Sequence, residues 1–309
     1  MTQTQERDSL YSPMIKEIKA KGILNSVKQP DDWFGLKFNM NLYRGCQHQC
    51  IYCDSRSECY QIEDFSDVLV KVNAIDLLRD ELSRKRVKGT IGTGSMNDPY
   101  MPLEAQRGLT RQALQVIEEY RFPVHIITKS NLVLRDLEIL RGISQVYAAV
   151  TFTITTADDQ LGKKIEPGAP RVSARLEAIR ILAENGLLTG VSLMPVLPFL
   201  EDNVENIRQI VAHAHDAGAR YIIPSFGMTL RDRQRAYYYR KLDQLFPGLS
   251  SVYEGKFGYK YFAPANNAEE LEEVLRSMCT RLGIATRIPK YHSKLGTQIP
   301  LFIADQAPR

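Results

Sequence analysis

The 309 residues are 44% apolar and 25% charged, with a net charge of +4. That apolar share excludes a disordered chain and suffices for the core of one large α/β domain or two small ones. No window holds eighteen consecutive apolar residues and no apolar run follows the charges of Met1 to Arg7, so no membrane span or leader is expected, and the chain reads as soluble and cytoplasmic.

Residues 1–30 are polar, with weak helical character over Tyr11 to Lys21, and form an N-terminal extension. A core follows over residues 31–230. Its first strand is predicted over Phe38 to Gly45. Apolar residues at Val68, Val72, Ile75, Leu78 and Leu82 predict a helix from Ser66 to Arg86. Then come a strand over Gly89 to Gly94, a helix over Glu104 to Tyr120, a strand over Val124 to Thr128, a helix over Leu132 to Gly142 and a strand over Val146 to Ile154. The helix Val172 to Asn185 stops at Gly186. Strand Leu188 to Val196, helix Val204 to Ala217 and strand Tyr221 to Phe226 complete the series. Strands alternating with helices imply right-handed parallel βαβ units, and the mostly apolar run Val124-His125-Ile126-Ile127 suits a strand buried on both faces. The expected fold is an α/β partial (β/α)6 parallel barrel with N- and C-terminal extensions.

Three of the five cysteines, Cys46, Cys50 and Cys53, lie within eight residues. This excludes a disulfide framework and suits a reducing compartment. Thiols separated by three and then two residues can wrap three corners of one small inorganic cluster. A structural zinc site needs four ligands, so the zinc alternative requires His48 or Cys59 as the fourth.

The spacing Cys46-x3-Cys50-x2-Cys53, with Tyr52 before the third cysteine, resembles the signature of the radical S-adenosylmethionine (SAM) superfamily. The wider pattern from Asn41 through Cys53, then Asp98-Pro99-Tyr100 and Glu166-Pro167, is similar to the spore photoproduct lyase-related family. The resemblance implies a [4Fe–4S] cluster on the three cysteines, with SAM bound to the open iron and cleaved to a 5′-deoxyadenosyl radical that abstracts hydrogen. It also implies an electron donor of flavodoxin or ferredoxin type. Tyr52 would pack near the adenine, Asn97 and Asp98 would accept from the SAM amino group, and Lys129 would neutralise its carboxylate. Thr153 and Thr155 match positions that bond the ribose or carboxylate, and Arg175 is a second carboxylate partner.

The functional residues of such a barrel gather at the C-terminal ends of its strands. Polar residues stand at every predicted strand end, among them the cysteine loop, Gly94 to Pro99, Thr128-Lys129-Ser130 and Ser225-Phe226-Gly227. Ser95 departs from the resemblance. The lyases that repair thymine dimers place a hydrogen-donating cysteine there, and a hydroxyl hydrogen is too strongly bound to quench a carbon radical. Cys59 is the remaining thiol that could act as a catalytic donor, unless it is buried and inert. Cys279 falls among Leu271, Val274, Leu275 and Met278 and reads as core.

Residues 231–309 form a C-terminal extension with a helix over Arg231 to Leu245, aromatics over Tyr253 to Phe262 and a helix over Ala268 to Leu282. The aromatics either cap the open side of the barrel or, interleaved with basic residues, stack nucleic-acid bases. Gln298-Ile299-Pro300-Leu301-Phe302 resembles the peptide by which bacterial repair proteins dock on the sliding clamp. The leading reading is a radical SAM enzyme acting on an unidentified substrate, with nucleic acid as one class. The alternatives are a radical SAM enzyme for a peptide or small molecule, and a non-enzymatic metal-containing nucleic-acid-binding protein.

Overall fold

The structure, a computed structural model, describes residues 14–28, 33–62 and 64–292. The first five strands are β1 (Ile15–Ile18), β2 (Leu24–Ser26), β3 (Phe38–Met40), β4 (Tyr43–Arg44) and β5 (Val68–Lys71). The next five are β6 (Ile91–Thr93), β7 (Val124–Thr128), β8 (Ala148–Thr153), β9 (Leu188–Leu193) and β10 (Tyr221–Pro224). Strands β3, β6, β7, β8, β9 and β10 pair in that order, all parallel, and β2 adds antiparallel to β3 at the edge. The central sheet is therefore mostly parallel, as the strand and helix alternation predicted. No helix among the described residues is long and apolar enough to cross a membrane.

One face of the middle of the sheet is apolar and covered by helices, while the other carries buried polar side chains. Val124, Ile126, Val150, Phe152 and Val191 are wholly buried within one large core with Leu114, Ile117, Ile179 and Leu182. Buried polar atoms here find partners in a row: His125 Nε2 and Thr151 Oγ1 stand 2.6 Å apart, and Thr151 Oγ1 and Tyr221 OH another 2.6 Å. Burial alone pushes the His125 imidazole down to about 3.

The structure corrects several element assignments. The predicted helix Ser66 to Arg86 is a strand, β5, followed by a helix over Ala74–Ser83. Val68 and Val70 are buried while Leu69 and Lys71 are half-buried, which is a strand period, and the segment pairs parallel with β1 and antiparallel with β4. The weak helical segment is likewise β1 over its described part. The predicted strand Phe38 to Gly45 divides at Asn41-Leu42 into β3 and β4, which belong to different sheets. The helix predicted over Glu104 to Tyr120 breaks at Gly108, whose φ is +63°, and Leu132 to Gly142 opens as a tighter turn over Asn131–Asp136 before the helix Leu137–Ser144.

Beyond residue 230 the chain packs back on the sheet end. Helices Asp232–Leu245 and Leu249–Phe257 bring Tyr238, Leu242, Tyr253 and Phe257 into a second apolar cluster with Ile51 and Tyr52 of the cysteine loop. Strand β11 (Gly227–Thr229) pairs antiparallel with β12 (Phe262–Pro264). Helix Ala268–Leu282 packs on helix Val204–Asp216 and buries Cys279 in the main core. The predicted clamp-binding peptide, Gln298 to Phe302, lies outside the described residues.

Candidate active site

The cysteine loop is held by its backbone before any cofactor is considered. Gly45 has φ +79°, and a Cβ there would lie 1.9 Å from the Asp67 carbonyl oxygen, so the chain enters the loop in a conformation and a space open to glycine. Gln49 adopts a left-handed conformation, and its amide donates to the Cys46 carbonyl at 2.6 Å. Two cross-links reach the segment after helix Asp159–Ile165: Ile51 N donates to Ile165 O, and Gly168 N to His48 O, both at 2.9 Å. Gly168 is pressed against the loop, where a Cβ would meet the Gln47 carbonyl oxygen at 2.2 Å.

Cys46, Cys50 and Cys53 are free and line one wall of a cavity of about 380 Å³. Burial pushes the Cys46 thiol up to about 12, followed by the charge of Asp98, while the backbone N–H groups of Asp98 and His48 pull the other way. Burial raises Cys50 as well, against the charge of Lys129. Thiols in this setting ionise in company with a cation or metal. Among the described residues, no three Cys, His, Asp or Glu side chains are grouped tightly enough to chelate a single ion. His48, the alternative fourth zinc ligand, is turned away: Nδ1 meets the Gly168 carbonyl at 3.0 Å and Nε2 lies 3.1 Å from Asp98 Oδ2.

The other walls come from the strand ends. Asn97, Asp98, Lys129 and Thr153 all line the cavity with Tyr52, so the structure brings these five expected residues together with the three cysteines. Asp98 is already engaged. Its carboxylate accepts from Thr128 Oγ1 at 2.7 Å, Lys129 N at 2.6 Å and Tyr100 N at 2.9 Å, besides facing His48. Burial raises its pKa, yet His48 and these donors outweigh burial and hold the carboxyl at about 2. Three hydrogen bonds and the close His48 ring, whose Nε2 makes no hydrogen bond, leave this carboxylate little room for a further donor. Asn97 Oδ1, by contrast, is a buried acceptor with no partner in the protein, at the cavity wall. An orphaned buried carbonyl of this kind suits a ligand's N–H donor.

Tyr52 donates from its hydroxyl to buried Glu166, which also pairs with Arg175 at 2.5 Å and faces Lys129 at 3.8 Å. Burial favours a neutral Glu166, but Arg175 and then Lys129 outweigh it and lower its pKa. Thus one carboxylate anchors three of the expected residues, and buried Arg175 with half-buried Lys129 explains why an acid is needed there. Glu166 entered the sequence reading only as part of a motif.

Three expected residues lie elsewhere. Arg175 is buried against Glu166, the Thr153 carbonyl and the Pro170 carbonyl, and does not line the cavity. Thr155, two residues past the end of β8, donates to Glu201 at 2.6 Å. Cys59 is exposed, not buried, and lies in a separate groove where it accepts hydrogen bonds from Ser57 Oγ at 3.4 Å and an Arg231 guanidinium N–H at 3.3 Å. Ser95 does line the cavity, with its hydroxyl paired to Asn39. Sequence reasoning missed Met228, Thr229 and Phe262, which the β11–β12 ribbon adds to the cavity wall.

The Radical SAM superfamily model matches residues 40–211. Over 191 residues the chain is 37% identical to an uncharacterized protein of Methanocaldococcus jannaschii, covering 61% of this chain and 70% of the relative. An uncharacterized protein of Mycobacterium tuberculosis is 30% identical over 278 residues, covering 87% of this chain and 81% of the relative. Among solved structures, spore photoproduct lyase complexed with dinucleoside spore photoproduct shares the fold with a TM-score of 0.64 at 15% identity, covering 88% of this chain and 81% of that one. With more than half of its length inside the family match, the chain belongs to the Radical SAM superfamily and is an enzyme of the radical SAM type.

Proposed function

We propose that Cys46, Cys50 and Cys53 hold a [4Fe–4S] cluster and that SAM fills the adjoining cavity. The observation that carries this reading is three free thiols lining one cavity together with Asn97, Lys129 and Thr153. When bound, the cluster and SAM supply a 5′-deoxyadenosyl radical that abstracts hydrogen from substrate. Asn97 Oδ1 accepts from the SAM amino group, Lys129 faces its carboxylate and the Tyr52 ring borders the adenine.

A nucleic acid is the substrate class we favour. Phe262 on the cavity wall is followed outward by Tyr261 and Tyr259, which are 41%, 57% and 98% exposed. The Arg231 guanidinium stands 5.1 Å from the Tyr261 ring centre and that of Arg235 5.9 Å from Tyr259. Exposed rings beside fixed cations suit bases stacked along a phosphate backbone. The lyase of similar fold was solved with a dinucleoside, a ligand of the same class. Among the described residues, no thiol other than Cys46, Cys50 and Cys53 lines the cavity, which speaks against a thiol quench of the lyase's kind.

Anaerobic reconstitution with iron and sulfide tests the reading. The wild type is expected to bind about four irons and to release 5′-deoxyadenosine from SAM under dithionite, and Cys50→Ala to lose both. A fully folded wild type that binds one zinc and no iron would overturn it.

A further inference from the structure

The chain that follows Cys53 carries basic residues outside the substrate cavity. The Arg56 backbone N–H donates to the Cys53 carbonyl at 3.2 Å. Its guanidinium is buried, donates to Gln49 Oε1 at 2.6 Å and lies between two rings, 4.6 Å from the centre of Phe65 and 3.6 Å from that of Tyr237. A guanidinium, charged at any working pH, thus lies between the loop residue Gln49 and Tyr237 of the helix Asp232–Leu245.

That helix continues the positive charge to the surface. Residues 233, 237, 240 and 241 share one face at helical spacing. Arg233 Nε donates to the Arg56 carbonyl at 2.7 Å, and Arg240 and Lys241 stand 5.4 and 5.7 Å from the centre of the Tyr237 ring. Asp232 and Asp243 flank this face and stay charged, Asp232 accepting from Ser57 Oγ and Glu58 N and Asp243 from Ser250, so its four cations outnumber its two acids once Arg56 is counted. None of Arg56, Arg233, Tyr237, Arg240 or Lys241 lines the cavity, so a protein seated here leaves the substrate path open.

We infer that the face formed by Tyr237, Arg240 and Lys241 docks the one-electron donor, a small acidic flavin or iron–sulfur protein, and that Arg56 marks the route to the cluster. The inference rests on the reading that the three cysteines hold a cluster. One electron leaves the reduced centre of the donor and reduces the cluster, and no bond is made or broken at the interface. Charge complementarity sets the encounter rate, so the reaction slows as salt screens it.

The test is anaerobic stopped-flow reduction of the reconstituted full chain by a photoreduced flavodoxin, with dithionite in parallel. Reversing Arg240→Glu and Lys241→Glu together is expected to slow reduction by flavodoxin about tenfold or more at low salt and to remove most of its salt dependence. Reduction by dithionite stays at the wild-type rate. Reversing Arg276→Glu and Arg281→Glu, exposed on the helix Ala268–Leu282, changes net charge equally and is expected to leave flavodoxin reduction within about twofold. Equal slowing by both pairs, or none by the first, overturns the docking face. A wild type that dithionite cannot bring to a reduced-cluster signal overturns the cluster reading itself, which the parallel arm separates from the first result.

Discussion

His48 Nε2 lies 3.1 Å from Asp98 Oδ2 with both side chains buried, and this contact fastens the cysteine loop to the end of β6. The other ring nitrogen meets the Gly168 carbonyl, so one imidazole joins three segments. Replacing His48→Ala opens a cavity beside the buried Asp98 carboxylate and leaves the Gly168 carbonyl without its ring partner, at a cost of about 1–3 kcal/mol. Urea unfolding of the purified variant checks this, and a midpoint equal to the wild type's would contradict it.

Glu166 compensates buried Arg175 and half-buried Lys129 at once. The variant Glu166→Gln is expected to lose about 3–5 kcal/mol, because Arg175 and Lys129 remain with no acid between them. Adding Lys129→Met should recover part of that loss. A double-mutant cycle in denaturant measures the coupling, and additive losses would show that Lys129 does not share the carboxylate.

Glu201 gives a pH dependence of stability. Its carboxyl is buried with bonds only from Thr155 Oγ1 and Leu197 N, and burial pushes its pKa up to about 8. The folded state therefore holds the proton more tightly than the unfolded chain. This contribution is fully present below about pH 4.3 and is lost as pH rises toward 8, at up to about 1.4 kcal/mol per pH unit. Thermal midpoints of the wild type are expected to fall across that window more steeply than those of Glu201→Gln. Parallel curves would mean that the carboxyl titrates normally.

Gly45→Ala places a methyl group against the Asp67 carbonyl at a φ of +79°. The left-handed conformation alone costs about 1–2 kcal/mol, and the clash adds to it. Lower thermal stability and reduced iron uptake after reconstitution are expected together. Wild-type iron content would show that the loop tolerates a different entry.

Tyr259 and Tyr261 are exposed, so their removal should spare stability. If bases stack there, each alanine substitution lowers affinity for a labelled single-stranded oligonucleotide by about 1–3 kcal/mol. Fluorescence anisotropy at fixed salt checks this. Unchanged affinity in the double variant would return the substrate question to peptides and small molecules.

The cysteine motif was legible because it is local: Cys46, Cys50 and Cys53 fall within one loop of eight residues. Strands β7 to β10 were legible for a related reason, since a strand buried on both faces is written as a short apolar run bounded by turn residues. The same logic misread β5, where Val68 and Val72 fit a helical stripe and only pairing with β1 and β4 selects the strand.

Tertiary structure decided which polar residues meet. The sequence by itself determined the thiol spacing, the order of strands and helices and the polar character of the strand ends. It did not determine that Asp98 would be filled by His48 from 50 residues away, that Glu166 would gather Tyr52, Lys129 and Arg175, or that Cys59 would face solvent. Thr153 closes β8 and lines the cavity, whereas Thr155 lies past the strand end, where alternation no longer sets its direction, and turns to Glu201. Buried charges choose partners across the fold because desolvation outweighs any local preference, and that choice exists only once the strands stand side by side.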